Sequence, residues 1–391
     1  MIGQMILKIT YDRPACADGL YCVRAKGCVL ASLWYGGESG VLEDYTAIAY
    51  LPLNAMGEGS FRFTGRRSVP SEATHVVARF LRADALHTEE LSVPIPPEQK
   101  SAWPEPSVRL TVMSDLHLKE TSLQKKAFRI RRALRTGAAG SAALLLPGDL
   151  TDDGLPGQLA LLDRMLAETV SCPVFPAAGN HDYPASHAAD NGLRYSEFQS
   201  RVLERNGVET ASGPSGAYAA RIGDVEVIGL NCVTPERRFR LPDEQLEWLE
   251  ARLTDGASWH IILCHAPLLA HNPQRQAGDP PYLSQDKRLA SLLDAHERIL
   301  FLSGHTHFSP NDANGCAEYD EARSILYLND GSICPTTSRW SDDAVVPGEW
   351  CDGVYAEVTL SDNGCGIVFR SAESGKKIAR GIYQFEASSM K

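Results

Sequence analysis

The sequence predicts a layered α/β domain preceded by a small all-β domain. Residues 1–97 hold short β-branched and aromatic segments between turn residues, whereas from residue 108 apolar runs alternate with amphipathic helical patterns. Evenly spaced short strands are typical of β-sandwiches, and alternation of strands with helices is typical of layered α/β sheets. Two domains also suit a chain of 391 residues.

Four segments of the N-terminal part predict strands, namely residues 28–34, 45–51, 60–63 and 74–80. Turn residues such as Gly36-Gly37 and Gly57 separate them. Their lengths and spacing predict a sandwich of the immunoglobulin or fibronectin type over residues 1–97. This domain could bind a partner, mediate formation of a homo-oligomer or brace the rest of the chain, and its residues leave these roles open.

A proline-rich stretch separates the two parts. Pro94, Pro96 and Pro97 precede it, and Trp103-Pro104-Glu105-Pro106 closes it. Proline restricts the backbone to extended conformations, so we predict a semi-rigid linker over residues 98–107. The second domain is then expected to span residues 108–391.

Seven apolar segments predict the strands of this second domain, at residues 108–113, 142–146, 174–178, 225–230, 259–263, 299–302 and 325–328. An amphipathic helix that ends near Gly137 lies between the first two. Residues 354–369 predict a hairpin, because Asp362-Asn363-Gly364 is a turn signal between two apolar runs. We expect a parallel-rich sheet layered with helices.

The composition and the charge of the chain argue against some classes of binding partner and some cellular locations. The net charge of −11 argues against nucleic acid as a partner, because phosphate backbones require a basic surface. No apolar run approaches the roughly 20 residues of a membrane span, and no secretory signal is visible at the N-terminus. The ten cysteines form no C-x-x-C pair, so we expect reduced, mostly buried thiols and a cytoplasmic location.

Five polar motifs follow directly after predicted strands. They are Asp115-Leu116-His117, Gly148-Asp149, Gly179-Asn180-His181-Asp182, Cys264-His265 and Gly304-His305-Thr306-His307. Ligands collect at the carboxyl ends of strands in open α/β sheets, so these distant residues are expected to converge. Carboxylate, amide and imidazole groups suit Mn, Fe, Co or Zn.

Each motif alone has an ordinary structural explanation. Asp149 could cap a helix, and a lone histidine such as His265 is more often a packed core residue than a ligand. Cys264 invites a zinc interpretation, but adjacent strand residues face opposite sides, so we expect it to be buried packing. Only the ordered co-occurrence of all five motifs makes the metal hypothesis strong.

The order and residue types resemble the calcineurin-like metallophosphoesterase family, whose pattern is D-x-H, G-D, G-N-H-[DE], H, G-H-x-H. The resemblance covers residues 108 to about 335 and implies a layered β-sandwich flanked by helices, with two metal ions. It assigns Asp115, His117, Asp149 and His307 to one ion, and Asp149, Asn180, His265 and His305 to the other. It also makes His181 a catalytic residue that is not a ligand, with Asp182 holding its ring.

The resemblance implies hydrolysis of a small-molecule phosphate ester through attack on phosphorus by a hydroxide between the ions. The segment from Gly148 to Gly154 is similar to the loop of cyclic-nucleotide and glycerophosphodiester phosphodiesterases, which favours diesters over monoesters. Purple acid phosphatases carry a tyrosine ligand where this chain has Asp152, so their iron–tyrosinate centre is not expected. The alternatives are a nuclease of the same superfamily and a non-catalytic scaffold such as the retromer subunit.

Two long loops, at residues 183–215 and 266–285, are candidates for substrate contact. They contain His187, Tyr195, His271, Arg275 and Tyr282. Loops positioned by a rigid scaffold often carry binding residues, although most surface loop residues have no special role.

Overall fold

The computed structural model describes residues 5–84, 88–100, 107–121, 124–184, 193–271, 283, 286–334, 336–341 and 344–387. The chain divides into two compact units, each discontinuous in sequence. The first consists of Met1–Trp103, Ala313–Gly315 and Lys376–Gln384, and the second of Pro104–Asp312, Cys316–Gly375 and Phe385–Lys391. Residues 101–106 of the predicted linker lie outside the described residues, and the predicted domain boundaries stay predictions.

The strands are β1 (Ile6–Tyr11), β2 (Gly19–Arg24), β3 (Cys28–Gly37), β4 (Gly40–Val41), β5 (Ala49–Pro52), β6 (Glu58–Phe63), β7 (His75–Arg82), β8 (Thr88–Pro94), β9 (Val108–Val112), β10 (Ala143–Leu146), β11 (Val174–Pro176), β12 (Thr210–Ser212), β13 (Tyr218–Ile222), β14 (Val225–Gly229), β15 (Trp259–Leu263), β16 (Ile299–Ser303), β17 (Ala317–Asp320), β18 (Ile325–Asn329), β19 (Thr336–Ser341), β20 (Ala344–Cys351), β21 (Val354–Ser361), β22 (Gly364–Ser371) and β23 (Lys377–Glu386). The α-helices are α1 (Gln124–Ala138), α2 (Pro156–Thr169), α3 (Leu193–Arg205), α4 (Asp243–Arg252) and α5 (Asp286–Leu293).

The first unit contains two antiparallel sheets. One has the strand order β1–β2–β6, and the other has the order β4–β3–β7–β8, with β5 paired to β3. Tyr21 and Phe63 from the first sheet and Leu33 and Phe80 from the second are fully buried in one apolar cluster. Two sheets therefore share a core, and their immunoglobulin or fibronectin type stays a prediction.

The C-terminal strand β23 contributes to this same core. Ile382 is buried in the apolar cluster of the first unit, and its carbonyl accepts a hydrogen bond from Ser68 N at 2.8 Å. Thr46 N donates in the same way to Lys377 O at 2.9 Å. The first unit is thus completed by residues that follow its opening strands by some 300 positions.

The second unit contains two larger sheets. Within this unit the first sheet has the order β11–β10–β9–β21–β22, and the second has the order β12–β13–β14–β15–β16–β18–β17. Strands β9 to β11 pair in parallel, as do β14, β15, β16 and β18. Every residue of β10 and β15 is buried, as expected for parallel strands covered on both faces. Leu144 and Ile262, one from each sheet, lie in a single apolar cluster.

Helices cover this layered core because their apolar residues fall on one side. In α2 the residues Leu159, Leu162 and Leu166 are buried at helical spacing, and Pro156 occupies the first turn, where its missing N–H has no intrahelical partner to lose. In α1 the buried residues include Ile130, Ala133 and Leu134. The prediction of a mixed α/β class is confirmed.

The seven predicted strands of the second unit match β9, β10, β11, β14, β15, β16 and β18. The sequence patterns missed β12, β13, β17, β19 and β20. Of these, β17 is a short antiparallel edge strand whose polar residues Glu318 and Asp320 are half-buried. Nine cysteines within the described ranges are free thiols, six of them buried, and Cys264 is fully buried as expected. None of the helices in the described part of the chain is both long and apolar enough to cross a bilayer.

Candidate metal centre

The candidate ligands sit on a strained backbone at the carboxyl ends of strands. Asp115, His117, Asp149, His305 and His307 all have positive φ, between 44° and 69°. The left-handed region costs a non-glycine residue roughly 1–3 kcal/mol, so such residues persist only where the surroundings hold them. These five residues lie in three of the five motifs. The structure around these loops therefore holds their side chains in defined directions at a cost in local stability.

Backbone hydrogen bonds fasten the first three motif loops to one another. Asp115 N donates to Gly148 O at 3.0 Å, and His117 N donates to Asp149 O at 3.0 Å. The third loop is held through a side chain, because His181 N donates to Asp149 Oδ1 at 2.8 Å. Each bond joins residues 32 or 33 positions apart, so together they link loops that lie up to 66 positions apart in the sequence.

Two motif glycines leave room for close approach between these loops. A Cβ atom on Gly148, whose φ is 106°, would lie 2.5 Å from Nδ1 of His265. A Cβ atom on Gly179 would collide with the backbone nitrogen and the carboxylate of Asp149. Glycine is therefore required at both positions by space, and at Gly148 also by its positive φ.

One group of ligand atoms is formed by Asp115, His117, Asp149 and His307, all within 4.8 Å of one another. His307 Nε2 lies 2.9 Å from Asp115 Oδ1 and 3.0 Å from His117 Nε2. His117 Nε2 lies 3.8 Å from Asp149 Oδ2. Two imidazole nitrogens and two carboxylates that point at one spot form a donor set suited to a divalent transition metal.

A second group shares Asp149 and adds His265 and His305. His265 Nδ1 lies 2.9 Å from Pro147 O, so we assign the proton to this nitrogen, which leaves the Nε2 lone pair free. His265 Nε2 lies 3.2 Å from Asp149 Oδ2, yet it is buried without a hydrogen-bond partner. The buried Asn180 Oδ1 likewise has no partner.

These two orphaned acceptors are the test of whether the residues fit metal ions. A buried polar atom without a partner costs free energy, and native proteins rarely leave one without a reason. Asn180 Oδ1 and His265 Nε2 are both ligand atoms of the set that the resemblance implies. The donor types, the convergence and the orphaned atoms all fit bound divalent cations.

Burial and mutual attraction shift the acid–base equilibria of this centre. Burial alone would raise the pKa of Asp149, but the neighbouring imidazole of His265 outweighs it and holds that pKa well below its usual range. Burial opposes protonation of His265, whereas the Asp149 carboxylate outweighs that effect and raises the pKa of His265 to about 10, so a cation that binds at Nε2 would replace a proton there. Burial lowers the pKa of His117 to about 4. The carboxylates are therefore kept charged, which is the form that binds cations.

His181 lies beside the first group and belongs to neither ligand set that the resemblance implies, although His181, His117 and Asp152 also place possible ligand atoms within 4.8 Å of one another. Its ring centroid lies 4.6 Å from that of His117, in an edge-to-face arrangement. Its Nδ1 lies 2.8 Å from Asp152 O, and a carbonyl can only accept, so Nδ1 carries the proton and donates. The Nε2 atom of a half-buried ring is then the nitrogen available to a substrate.

Asp182 has a different contact from the expected one. Its carboxylate accepts hydrogen bonds from Thr151 N at 2.8 Å, Gly179 N at 2.9 Å and Leu150 N at 3.2 Å. Within the described residues no hydrogen bond joins it to the His181 ring, which is oriented by Asp152 O instead. Burial, with the nearby charge of Asp149, raises the pKa of Asp182 to about 6. Asp182 braces the backbone of two motif loops.

Two supporting contacts escaped the sequence analysis. Asp152 Oδ1 lies 3.3 Å from His117 Nδ1, a carboxylate–imidazole contact that orients a ligand ring. Ser114 donates to Asp115 and is also 2.7 Å from Oδ1 of the buried Asp330. Asp152 sits three residues after Asp149, a spacing that could have signalled its role, whereas Asp330 lies 215 positions from Asp115 and no local pattern connects them.

A separate acidic group, Glu226, Asp255 and His260, also gathers possible ligand atoms. Arg252 pairs with Glu226 and lies 3.0 Å from Asp255 Oδ2, so a cation already occupies the group. His260 is near the start of β15, at the opposite end of the strand from His265. We assign no metal to it.

Of the five loop residues proposed as candidates for substrate contact, two lie within the described residues and three do not. His187, Arg275 and Tyr282 lie outside the described residues. Tyr195 is buried, and His271 stacks on Tyr327 at 4.1 Å and lies 3.0 Å from Glu318 Oε1. The described members of this set therefore have structural contacts of their own.

Comparisons with known proteins agree with the motifs. Residues 108–309 match the family model described as calcineurin-like phosphoesterase, a span that includes all five motifs. The chain is 28% identical over 209 residues to a Synechococcus protein named a probable cyclic nucleotide phosphodiesterase, an alignment that covers 53% of this chain and 69% of that protein.

Two solved structures are similar to the chain. One is a conserved protein of Streptococcus pneumoniae described as a predicted phosphoesterase, with 14% identity, a TM-score of 0.33 and coverage of 71% of this chain and 97% of that one. The other is GAP50, the anchor in the inner membrane complex of Plasmodium, with 13% identity, a TM-score of 0.44 and coverage of 73% and 91%.

Proposed function

Since the chain belongs to the calcineurin-like phosphoesterase family, we propose that it is a metal-dependent hydrolase of small-molecule phosphate esters, with phosphodiesters as its main class. The observation that carries this proposal is the convergence of six of the seven candidate ligands. The seventh, Asn180, has a buried Oδ1 without a hydrogen-bond partner, as does His265 at Nε2. The Synechococcus relative and the loop from Gly148 to Gly154 support diesters over monoesters.

Two metal ions are part of the proposal. Asp115, His117, Asp149 and His307 would hold one, and Asp149, Asn180, His265 and His305 would hold the other. A bound pair of divalent cations supplies Lewis acidity for phosphate oxygens and lowers the pKa of bound water from 15.7 to about 7. Asp149 is the shared residue because its carboxylate has two oxygens and lies in both groups of ligand atoms.

His181 has the role of proton donor and charge partner in this proposal. Its Nδ1–H is fixed on Asp152 O, so Nε2 faces the reaction when the ring is protonated and can donate to the departing alcohol oxygen. Asp152 contacts two residues of this centre, because its carbonyl oxygen accepts from His181 and its carboxylate contacts His117. Asp182 holds the loops that carry Asp149 and His181 in register.

The experiment pairs metal analysis with hydrolysis on one preparation of the full chain. We expect about two divalent ions per chain and faster turnover of bis(4-nitrophenyl) phosphate than of 4-nitrophenyl phosphate. Asp149→Asn should lose both metal occupancy and activity, whereas the matched surface variant Asp163→Asn should keep both. A fully loaded protein that hydrolyses neither ester would contradict the proposal and favour a non-catalytic scaffold. Self-association through the first unit and a cytoplasmic location stay predictions.

A further inference from the structure

A small hairpin follows β14 and reaches the metal centre. Arg240 N donates to Cys232 O at 2.8 Å, and Val233 and Phe239 form an antiparallel bridge. Its tip is closed by Arg237 N, which donates to Thr234 O at 2.8 Å. We call residues 232–240 the arginine hairpin, since three of its residues are arginines.

Contacts on both sides anchor the arginine hairpin to the candidate site. The ring of Phe239 lies 4.8 Å from that of His305 and 5.9 Å from that of His265. Arg237 Nε donates to Tyr183 O at 2.8 Å, and Tyr183 directly follows Asp182. The hairpin therefore extends from the second ligand group to the loop that carries His181.

Arg237 retains hydrogen-bonding capacity at this place. Its Nη2 atom is buried and has no hydrogen-bond partner among the described residues, and its backbone is held at φ 61°. The guanidinium acts on Asp153 through charge alone, without a hydrogen bond to it. By contrast, the half-buried Arg252 is paired through Nη2 with Glu226 and Asp255.

A guanidinium that is positioned by one nitrogen and unsatisfied at another is suited to an oxyanion. Arginine donates in a planar fork that matches phosphate geometry, and such charge-assisted bonds are about twice as strong as neutral ones. In a chain with a net charge of −11, a phosphate needs a local cation of this kind. The positive φ of Arg237 costs free energy, so the surrounding structure must hold this residue in a defined direction.

We propose that Arg237 is a substrate-binding residue that holds a non-bridging oxygen of the phosphate being hydrolysed. This inference rests on the proposed function and adds to it a residue outside the five motifs. The arginine hairpin also borders a pocket of about 530 Å³, which is lined in part by Tyr183, Asn231, Thr234 and Arg240.

The test compares Arg237→Ala with Arg238→Ala in the metal-loaded full chain. Arg238 is exposed, carries the same charge and is the next residue, so it controls for net charge. For Arg237→Ala we expect KM for bis(4-nitrophenyl) phosphate and Kd for inorganic phosphate to rise about 10- to 100-fold, with metal content unchanged. Arg238→Ala should stay within about twofold of the wild type, because exposed charges contribute little.

Chemical rescue separates binding from a purely structural role. Guanidinium ion added to Arg237→Ala should restore part of the phosphate affinity, which loss of the Tyr183 contact alone would not allow. If Arg237→Ala does not fold, Arg237→Lys, which keeps the charge but loses the fork, should still weaken phosphate binding. Unchanged phosphate affinity in both variants of an active enzyme would overturn the inference and leave the proposed function intact. An inactive, metal-loaded wild type would instead overturn the proposed function.

Discussion

Backbone strain at the candidate ligands has a direct consequence for their side chains. Asp115, His117, Asp149, His305 and His307 occupy a conformation that L-residues normally avoid. Hydrogen bonds to neighbouring motif loops hold three of them, since Asp115 N and His117 N donate to the second motif and His305 N donates to the Asp115 carboxylate. Strain that persists in this way is typical of preorganised sites, where the geometry needed by a ligand is set before it binds.

His181 is the residue at which catalysis and metal binding should separate. We predict that His181→Ala keeps its metal content but loses turnover by about 10²- to 10⁴-fold, since the ring is outside both ligand groups and its removal takes away proton transfer. Elemental analysis and steady-state kinetics on the same sample provide the measurement. His296→Ala, at a half-buried histidine after α5, is the control and should retain activity. Near-normal kcat in His181→Ala would remove that residue from the reaction.

At the scale of elements, the motif loops depend on buried groups that join them through hydrogen bonds. Asp182 accepts hydrogen bonds from the backbone nitrogens of Leu150, Thr151 and Gly179, so one carboxylate braces the second and third motif loops. Gly148 and Gly179 allow those loops to approach without collision. Removal of the brace should therefore loosen two loops together.

We predict that Asp182→Ala lowers the free energy of unfolding by about 2–3 kcal/mol, because buried backbone donors lose a charged acceptor. It should also weaken metal binding through displacement of Asp149. Chemical denaturation and metal titration measure the two effects. The control is Asp163→Ala, whose carboxylate pairs at the surface with Arg205 at 2.7 Å and should cost less than about 1 kcal/mol. A stability of Asp182→Ala equal to that of the control would contradict the bracing role.

At the scale of the whole molecule, the metal centre concentrates buried charge that only cations can balance. Asp115 and Asp149 are both buried, at 0% and 1% exposure. A metal concentration 100 times its Kd stabilises a folded protein by about 2.7 kcal/mol per site. With two sites the contribution is about 5.4 kcal/mol, so we predict that chelation lowers the melting temperature of the second unit by about 10–20 °C. Calorimetry with and without a chelator measures the shift, and an unaltered melting profile would argue against a structural contribution of the ions.

The first unit has its own pH-sensitive link between the two ends of the chain. Glu72 Oε1 accepts hydrogen bonds from Lys377 Nζ at 2.6 Å and from the Tyr45 hydroxyl at 2.5 Å. Burial opposes the carboxylate, but these two donors outweigh it and lower the pKa of Glu72 to about 2. A lowered folded-state pKa gives stability that is complete above the unfolded value near 4.5 and is lost as the pH falls through about 2.

We predict that Glu72→Gln destabilises the first unit by up to about 1 kcal/mol at pH 7, since the half-exposed pair is screened by solvent. The difference from the wild type should shrink as the pH is lowered from 4.5 towards 2, where the wild-type carboxylate becomes protonated. Denaturant unfolding of both proteins across this range gives the comparison. A difference that does not change with pH would show that the ion pair is not the source of the stability.

Local sequence patterns were enough to predict seven strands of the second unit and the motifs that follow five of them. A buried parallel strand appears in the sequence as an apolar run, and the polar residue after it ends that run. Both features are therefore visible in the local sequence. Asp115, Asp149, Asn180, His265 and His305 could be placed at strand ends from this pattern alone. Their convergence then followed from the architecture of parallel sheets.

Contacts between side chains that are distant in the sequence are visible only in the folded chain. It brings Asp330 to Ser114, the tip of the arginine hairpin to Tyr183, and the last strand β23 into the core of the first unit. It also assigns the orientation of His181 to a backbone carbonyl of Asp152, where the sequence suggested Asp182. Such contacts depend on how whole elements pack. Residue spacing records only the local conformation of the chain, so it cannot reveal these pairs.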